Sequence, residues 1–297
     1  MSYIFMVHIS NKWKIRIMFK KLGLAITFSP TGKALLAETR RLKLLFNSEL
    51  YLIHVGERNS ETEERLRKLV LESNLKPEEI NFIWGSGNPA DVIIDSIKKN
   101  SIDLLIAGAL EKEKTIKYYF GSVARKLMRK VPCSLLILTS AMNSDKEFKK
   151  LGVLVDFSPE NENTIQKANQ FAMMEKSDQL ILIREIDTTG ISASAVTGNS
   201  ANEMDNYIEK IINEESIKLS ILVNELNLRG VDISKICLPG KEGWAVRQFL
   251  RKEGIDLFIV SAPARRLGFF DRVFQHDLEY IFVDIPCDLL IIKNSSK

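Results

Sequence analysis

The chain has 297 residues, 45% of them hydrophobic and 27% charged, a globular balance that excludes wholesale disorder. At roughly 100–200 residues per domain the length predicts about two domains. No apolar run approaches the roughly 18 residues of a membrane-crossing helix. Three cysteines, none in a C-x-x-C pair, exclude a disulfide scaffold and the common zinc frameworks and suit a reducing cytoplasm. The net charge of +4 is uneven: residues 18–140 carry +6, residues 141–297 carry −5 and residues 1–17 carry +3. Two halves of opposite sign that lie against each other explain this more simply than a nucleic-acid patch or stripe.

Residues 1–17 contain Trp13 and only a short apolar run, Ile4 to Val7, below the roughly 7–15 residues of a signal-peptide core. They read as an extension or a mis-called start. From there the pattern alternates. Leu22–Phe28 predicts a buried strand, and Gly32–Phe46 a helix with a stripe at Leu35, Leu36, Leu42 and Leu45. Leu50–Val55 is a second strand, Glu61–Ser73 a charged amphipathic helix and Ile80–Trp84 a third strand. Asn88 caps a helix that has Pro89 at its first position. Leu104–Gly108 is the fourth strand, Ser122–Arg129 a helix and Leu135–Leu138 the last strand. This order argues a parallel sheet with helices on both faces.

The chain then repeats itself. Lys20-Lys21-Leu22-Gly23 recurs as Lys149-Lys150-Leu151-Gly152, an offset of 129. Ile102-Asp103-Leu104 recurs as Ile255-Asp256-Leu257 at 153, and Pro132-Cys133 as Pro286-Cys287 at 154. Two units of well over 100 residues each mean a duplicated domain, not a solenoid. The predicted domains are 18–140 and 147–297, joined by a linker at 141–146. The second unit's extra length is Asp187 to Asn202, which has no period and reads as a mobile loop. A helix from Glu203 to Arg229 should follow, with Ile208, Ile211, Ile212, Leu219, Leu222, Val223 and Leu226 on one face and Gly230 ending it.

Catalytic constellations are mostly missing. No G-x-S-x-G, H-E-x-x-H or Walker A sequence is present. His54 lies in a predicted strand and reads as a core or strand-end residue. His276 and Asp277 are adjacent, and neighbours on a helix do not face each other. Cys133 and Cys287 each follow a proline, with nothing basic placed to lower their pKa, and read as packed thiols. Gly85-Ser86-Gly87-Asn88-Pro89-Ala90 fits a dinucleotide fingerprint. It follows the third strand, however, whereas the fingerprint belongs to the first. A tight turn with an Asn cap is the simpler reading.

A stronger pattern follows the fourth strand. Gly108 ends it, Glu111 follows, and Gly121-Ser122-Val123 opens the next helix after nine intervening residues. A Gly-Ser helix start offers backbone N–H groups and a hydroxyl to an anion. Strands one and four should meet where the sheet order reverses, the crevice where open α/β sheets bind ligands.

These pieces, with Leu52-Ile53-His54-Val55, Gly87-Asn88-Pro89-Ala90 and Val131-Pro132-Cys133, make each unit resemble a universal stress protein domain of the UspA type. The whole chain resembles a bacterial tandem universal stress protein. The resemblance implies two flavodoxin-like (Rossmann-like) doubly wound parallel-sheet domains of strand order 3-2-1-4-5, packed as a pseudo-dimer. It implies a cytoplasmic stress-response role through nucleotide or protein-partner binding, with no dedicated enzymatic reaction, no membrane and no nucleic acid. The pseudo-dimer would form through Leu135–Leu138 and Leu289–Ile292, with a further homodimer left open. The ligand would be ATP or another adenine nucleotide, bound weakly in the first unit: Gly108, Gly121, Ser122 and Val123 at the phosphates, Thr27 and Val55 flanking the adenine side. Glu111 stands where the ATP-binding branch has glycine, and Thr27 where it has Asp. Lys112, Lys114 and Lys117 could offset the Glu111 charge. The second unit keeps Asp156 but has Ser261-Ala262-Pro263-Ala264 for the loop and Phe274-Gln275 or Gln275-His276 for the Gly-Ser, so its cradle is lost. Arg265 and Arg266 read as a solvated loop in preference to an anion site. The alternatives are a pure interaction module, or slow ATP hydrolysis or adenylate transfer in the first unit.

Overall fold

A computed structural model describes residues 18–29, 31–111, 118–119, 121–139, 147–189, 201–262 and 286–294. The readings of residues 1–17, Lys112, Lys114, Lys117, the 141–146 linker, Arg265, Arg266, Phe274, Gln275 and His276 lie outside them, as does most of the Asp187–Asn202 loop.

In the first half the strands are β1 (Lys21–Ala25), β2 (Glu49–Val55), β3 (Ile80–Gly85), β4 (Leu104–Gly108) and β7 (Ser134–Leu138). They alternate with helices α1 (Gly32–Phe46), α2 (Ser60–Glu72), α3 (Pro89–Asn100) and α4 (Ser122–Lys130). Two short strands, β5 (Leu110–Glu111) and β6 (Tyr118–Tyr119), form a separate antiparallel ribbon between β4 and α4. The second half contributes β8 (Lys150–Leu154), α5 (Pro159–Glu175), β9 (Gln179–Asp187), α6 (Ala201–Glu225) and β10 (Asp232–Gly240). It ends with α7 (Trp244–Glu253), β11 (Leu257–Ser261) and β12 (Asp288–Ile292).

Ten strands form one sheet, in the order β10-β9-β8-β11-β12-β7-β4-β1-β2-β3, with the last strand of each half at its middle. Every neighbouring pair is parallel except β12 with β7, which runs antiparallel with Leu290 opposite Leu136. Side chains alternate along each strand into two apolar layers. Leu22, Leu24, Leu104 and Ile106 enter the layer beneath α1, α2, α5 and α6, while Ile53, Leu105 and Ala107 enter the one beneath α3, α4 and α7. Both layers run unbroken through both halves. The first is joined by a ring cluster, Phe19–Phe46 at 5.3 Å, Phe46–Phe171 at 5.7 Å and Phe148–Phe171 at 5.7 Å.

The repeated sequence has a physical reason. Asp103 accepts from the backbone N–H groups of Lys20 (2.8 Å) and Lys21 (3.1 Å), and Asp256 accepts from those of Lys149 (3.0 Å) and Lys150 (2.9 Å). Lys21 Nζ donates to the Asn100 carbonyl and Lys150 Nζ to that of Glu253. Each Ile-Asp-Leu thus locks the start of its half's first strand. Asp103→Ala or Asp256→Ala strands two donors and should each cost about 1–3 kcal/mol. The check is the urea midpoint of the full chain; an unchanged midpoint in both variants would contradict the assignment.

Expected boundaries shift by one to four residues, and three of the shifts have a visible cause or consequence. Pairing of β1 with β2 ends at Ala25, so Thr27 lies beyond the strand and is exposed. The α2 helix starts one residue early because the Asn59 side chain accepts from the Thr62 N–H at 2.8 Å. The α6 helix ends at Glu225 instead of Arg229, because Asn227 turns left-handed (φ 53°) before Gly230 (φ 80°) leads to β10. Of the expected α6 face, Leu219 and Leu222 are buried and Ile208, Ile211, Ile212, Val223 and Leu226 half-buried.

Candidate functional site

β1 and β4 are neighbours, with Leu22 opposite Leu104 and Leu24 opposite Ile106. Beyond their carboxyl ends lie Thr27 on one side and Gly108 on the other. The ribbon then leaves and returns, Leu110 opposite Tyr119 and Glu111 opposite Tyr118. Its two feet are therefore Gly108-Ala109 and Gly121-Ser122, brought together by backbone pairing. Glu111 sits on the ribbon, where its backbone pairs with that of Tyr118.

Gly121 caps α4 in extended conformation (φ −61°, ψ 169°), and as a glycine it brings no side chain of its own to cap the helix. Its first turn holds no acidic residue, and Arg125 is exposed one turn in. The leading N–H groups of a helix lack partners within it, and its dipole adds partial positive charge there. The start of α4 is thus chemically suited to an anion, with the exposed Ser122 hydroxyl beside it. Val123 is half-buried against the apolar layer and anchors the turn. Val55 ends β2 opposite Gly85 and packs on the same layer.

Gly108 was expected to let backbone approach a ligand. The structure adds a packing reason for this glycine. A Cβ there would lie 2.7 Å from Leu35 Cδ1, so the missing side chain admits α1. The Gly85–Ala90 stretch is a turn, as its position after the third strand suggested. Gly87 takes φ 111°, the Asn88 side chain accepts from the Asp91 N–H, and Lys126 reaches Asp91 at 2.7 Å.

In the second half the corresponding crevice is spanned by the protein's own bonds. Asn161, buried at the start of α5, donates to the Leu154 carbonyl (2.8 Å) and Ser261 Oγ (3.0 Å). Ser261 donates to Thr164 Oγ1 at 2.9 Å. Asp156 is exposed and accepts from the Ser158 N–H at 2.8 Å, a local turn bond. The carboxylate at the start of α7 is Glu185, which accepts from the N–H groups of Gly243 and Val246.

One grouping escaped the reading of the sequence. Arg65, Phe28, His54, Trp84 and Arg58 follow one another across the ends of β1–β3, at 4.4, 4.9, 5.3 and 5.8 Å, with Phe28–His54 tilted at 50° and His54–Trp84 edge-on at 73°. The available signal was aromatic residues at the ends of successive strands with arginines in the next segment. Burial pushes the Cys133 thiol up to about 12 and raises Cys237, which leaves both as unreactive thiols at neutral pH. Among the described residues no His, Cys, Asp or Glu cluster could hold a metal ion, and no helix is long and apolar enough to cross a membrane.

No curated protein matches the chain. Several solved structures are similar over most of its length. One is a universal stress protein from Archaeoglobus fulgidus DSM 4304, 14% identical over 93% of this chain and 98% of that one, TM-score 0.64. Another is a functionally unknown protein from Pseudomonas aeruginosa PAO1, 15% identical over 93% of this chain and 92% of that one, TM-score 0.63. At these identities the likeness shows a shared α/β fold. Residues 18–139, which hold the β1–β4 crevice and the Gly121-Ser122 helix start, match the Universal stress protein family.

Proposed function

We propose that this is a stress-response protein built from two universal stress protein units, 18–140 and 147–297, whose first unit weakly binds an adenine nucleotide. The supporting observation is the start of α4: capped by a glycine with no side chain of its own, without an acidic residue in its first turn, and set at the foot of the ribbon that rises from β4. Gly121, Ser122 and Val123 would meet the phosphates, while Thr27 and Val55 would flank the base. No catalytic step is assigned. The closed crevice of the second half favours a different reading there, an interaction and support unit that takes no nucleotide.

Mass spectrometry of small molecules released by denaturing the protein after incubation with ATP tests this reading. Intact nucleotide, without phosphate release above background, is expected. Sustained phosphate release would make the first unit an ATPase, and no recovered nucleotide would leave an interaction module.

The β7–β12 pair supports treating the units as an intramolecular pseudo-dimer. Beyond the strands, Thr139 donates its N–H (2.7 Å) and hydroxyl (2.8 Å) to buried Asp288, and the Lys293 N–H donates to Ser134 Oγ at 3.0 Å. Residues 18–140 alone would expose the apolar edge Leu135–Leu138, and bare edges seek partners. That fragment should self-associate in size-exclusion chromatography; a well-behaved monomer would count against the pseudo-dimer.

A further inference from the structure

The row of side chains beside the crevice is anchored at its centre by a single hydrogen bond. His54 is buried at the second-to-last position of β2. Its Nδ1 lies 3.1 Å from the Ile26 carbonyl oxygen. A carbonyl only accepts, so Nδ1 carries the proton, and in the neutral ring Nε2 is the acceptor. The ring is held between Phe28 and Trp84, themselves faced by Arg65 and Arg58. On its far side a Cβ at Gly56 would come 3.0 Å from Nε2, so a side chain there would crowd the ring. His54 therefore reaches both segments that would flank a base: it bonds to Ile26 and packs against Phe28 before α1, and it lies against Gly56 just after β2.

The second half repeats this grip with other chemistry. Arg184 occupies the equivalent place in β9, donating from Nη1 to the Val155 carbonyl at 3.2 Å and lying 5.1 Å from the Phe157 ring. There the guanidinium is also tied to Glu215 by a 2.6 Å bond from Nε. The same backbone carbonyl is thus held in both halves, once by a neutral-capable ring and once by a permanent cation in an ion pair. The constraint lies on the segment after the first strand.

We propose that His54 is a positioning residue of the first unit's crevice: its Nδ1–H bond to Ile26 and its ring contacts with Phe28 and Trp84 hold Thr27 and Phe28 where the adenine side of a nucleotide would sit. The proposal rests on the nucleotide reading given above. It assigns His54 no contact with the ligand and no proton transfer.

The test uses the full chain, two variants and two readouts. His54→Phe keeps the ring contacts and deletes the donor. His54→Asn sets an amide N–H at the Nδ1 position and restores it. Amide hydrogen exchange of the peptide covering residues 26–29 and calorimetric titration with AMP are measured for each. Loss of one buried hydrogen bond is worth about tenfold in an equilibrium. His54→Phe should therefore speed exchange in that peptide and weaken AMP binding by about tenfold each. His54→Asn, which keeps the donor and gives up the ring contacts, should fall between wild type and His54→Phe in both. Unchanged exchange in His54→Phe overturns the proposal, as does equal acceleration throughout β1–β3 or a His54→Asn variant no better than His54→Phe. A local, rescued exchange response with no AMP binding even in wild type supports the positioning and defeats the nucleotide reading instead.

Discussion

Arg41→Met should lower the melting temperature by on the order of 10 °C. Arg41 projects from α1 in the first half and meets Glu175 at the end of α5 in the second, Nη1 to Oε2 at 2.7 Å. The Glu175 side chain is only 1% exposed, and its other oxygen, Oε1, has no hydrogen-bond partner among the described residues. Arg41 also holds Glu38 from both Nε and Nη2 and lies 5.4 Å from the Phe148 ring. Removing the cation leaves two largely buried carboxylates without compensation, a loss of about 3–5 kcal/mol. In a protein of this size each kcal/mol is worth about 2–4 °C. Replacing the whole triad, Glu38→Gln, Arg41→Met and Glu175→Gln together, should recover most of the loss, since exchanging all members of a buried ionic group is often close to neutral. Thermal melts of the two variants decide it: a single variant as stable as wild type would mean that the Arg41–Glu175 pair contributes nothing to holding the two halves together.

The same cluster predicts a pH response with a definite sign. Burial raises the Glu38 pKa above its ordinary 4.5, opposed by its bonds to Arg41 and assisted by the charges of Glu175 and Asp288. A carboxyl whose pKa is higher folded than unfolded binds more protons in the native state. Its stabilising contribution is complete below the unfolded pKa and is lost as pH rises through the folded one. Wild type should therefore gain melting temperature relative to Glu38→Gln between pH 7 and pH 5. A relative loss over that interval would show that Glu38 is not held against its desolvation.

Much of the fold could be read from periodicity because it alternates buried strands with amphipathic helices. Where reading stopped, the missing information was which distant residues touch. Position 108 reads as a ligand glycine, and nothing in the local pattern shows that Leu35 also lies close to it. At the offsets of the repeat, Gly108 and Leu35 correspond to Ser261 and Thr164, which hydrogen-bond to each other. A glycine–leucine contact in one half is a serine–threonine bond in the other, and only the helix–sheet packing reveals the two exchanges as one. Thr27 extends an apolar run and so reads as strand, yet β1 stops pairing two residues earlier. The β5–β6 ribbon has two residues per strand, too few for any period. His54 was legible as a strand residue; the row around it joins five residues from three strand ends and two neighbouring segments, which no local pattern encodes.

The candidate site makes the other large prediction. Gly121→Asp should abolish nucleotide binding. It sets a carboxylate and a side chain at the cap of α4, where an aspartate would accept the leading N–H groups for itself and repel phosphate. The substitution is compatible with folding, because Gly121 has an ordinary extended conformation that other residues adopt. Glu111→Gly removes a charge from the ribbon that rises from the same site and should tighten ATP binding, by about tenfold if the carboxylate opposes the phosphates at close range. Adenosine, which has no phosphate, should be indifferent to both changes. Titration calorimetry of ATP against wild type and Gly121→Asp is the direct measurement. Weak binding by wild type and none by Gly121→Asp is the expected result; equal ATP binding by the two proteins would contradict the assignment of the phosphate site to the start of α4.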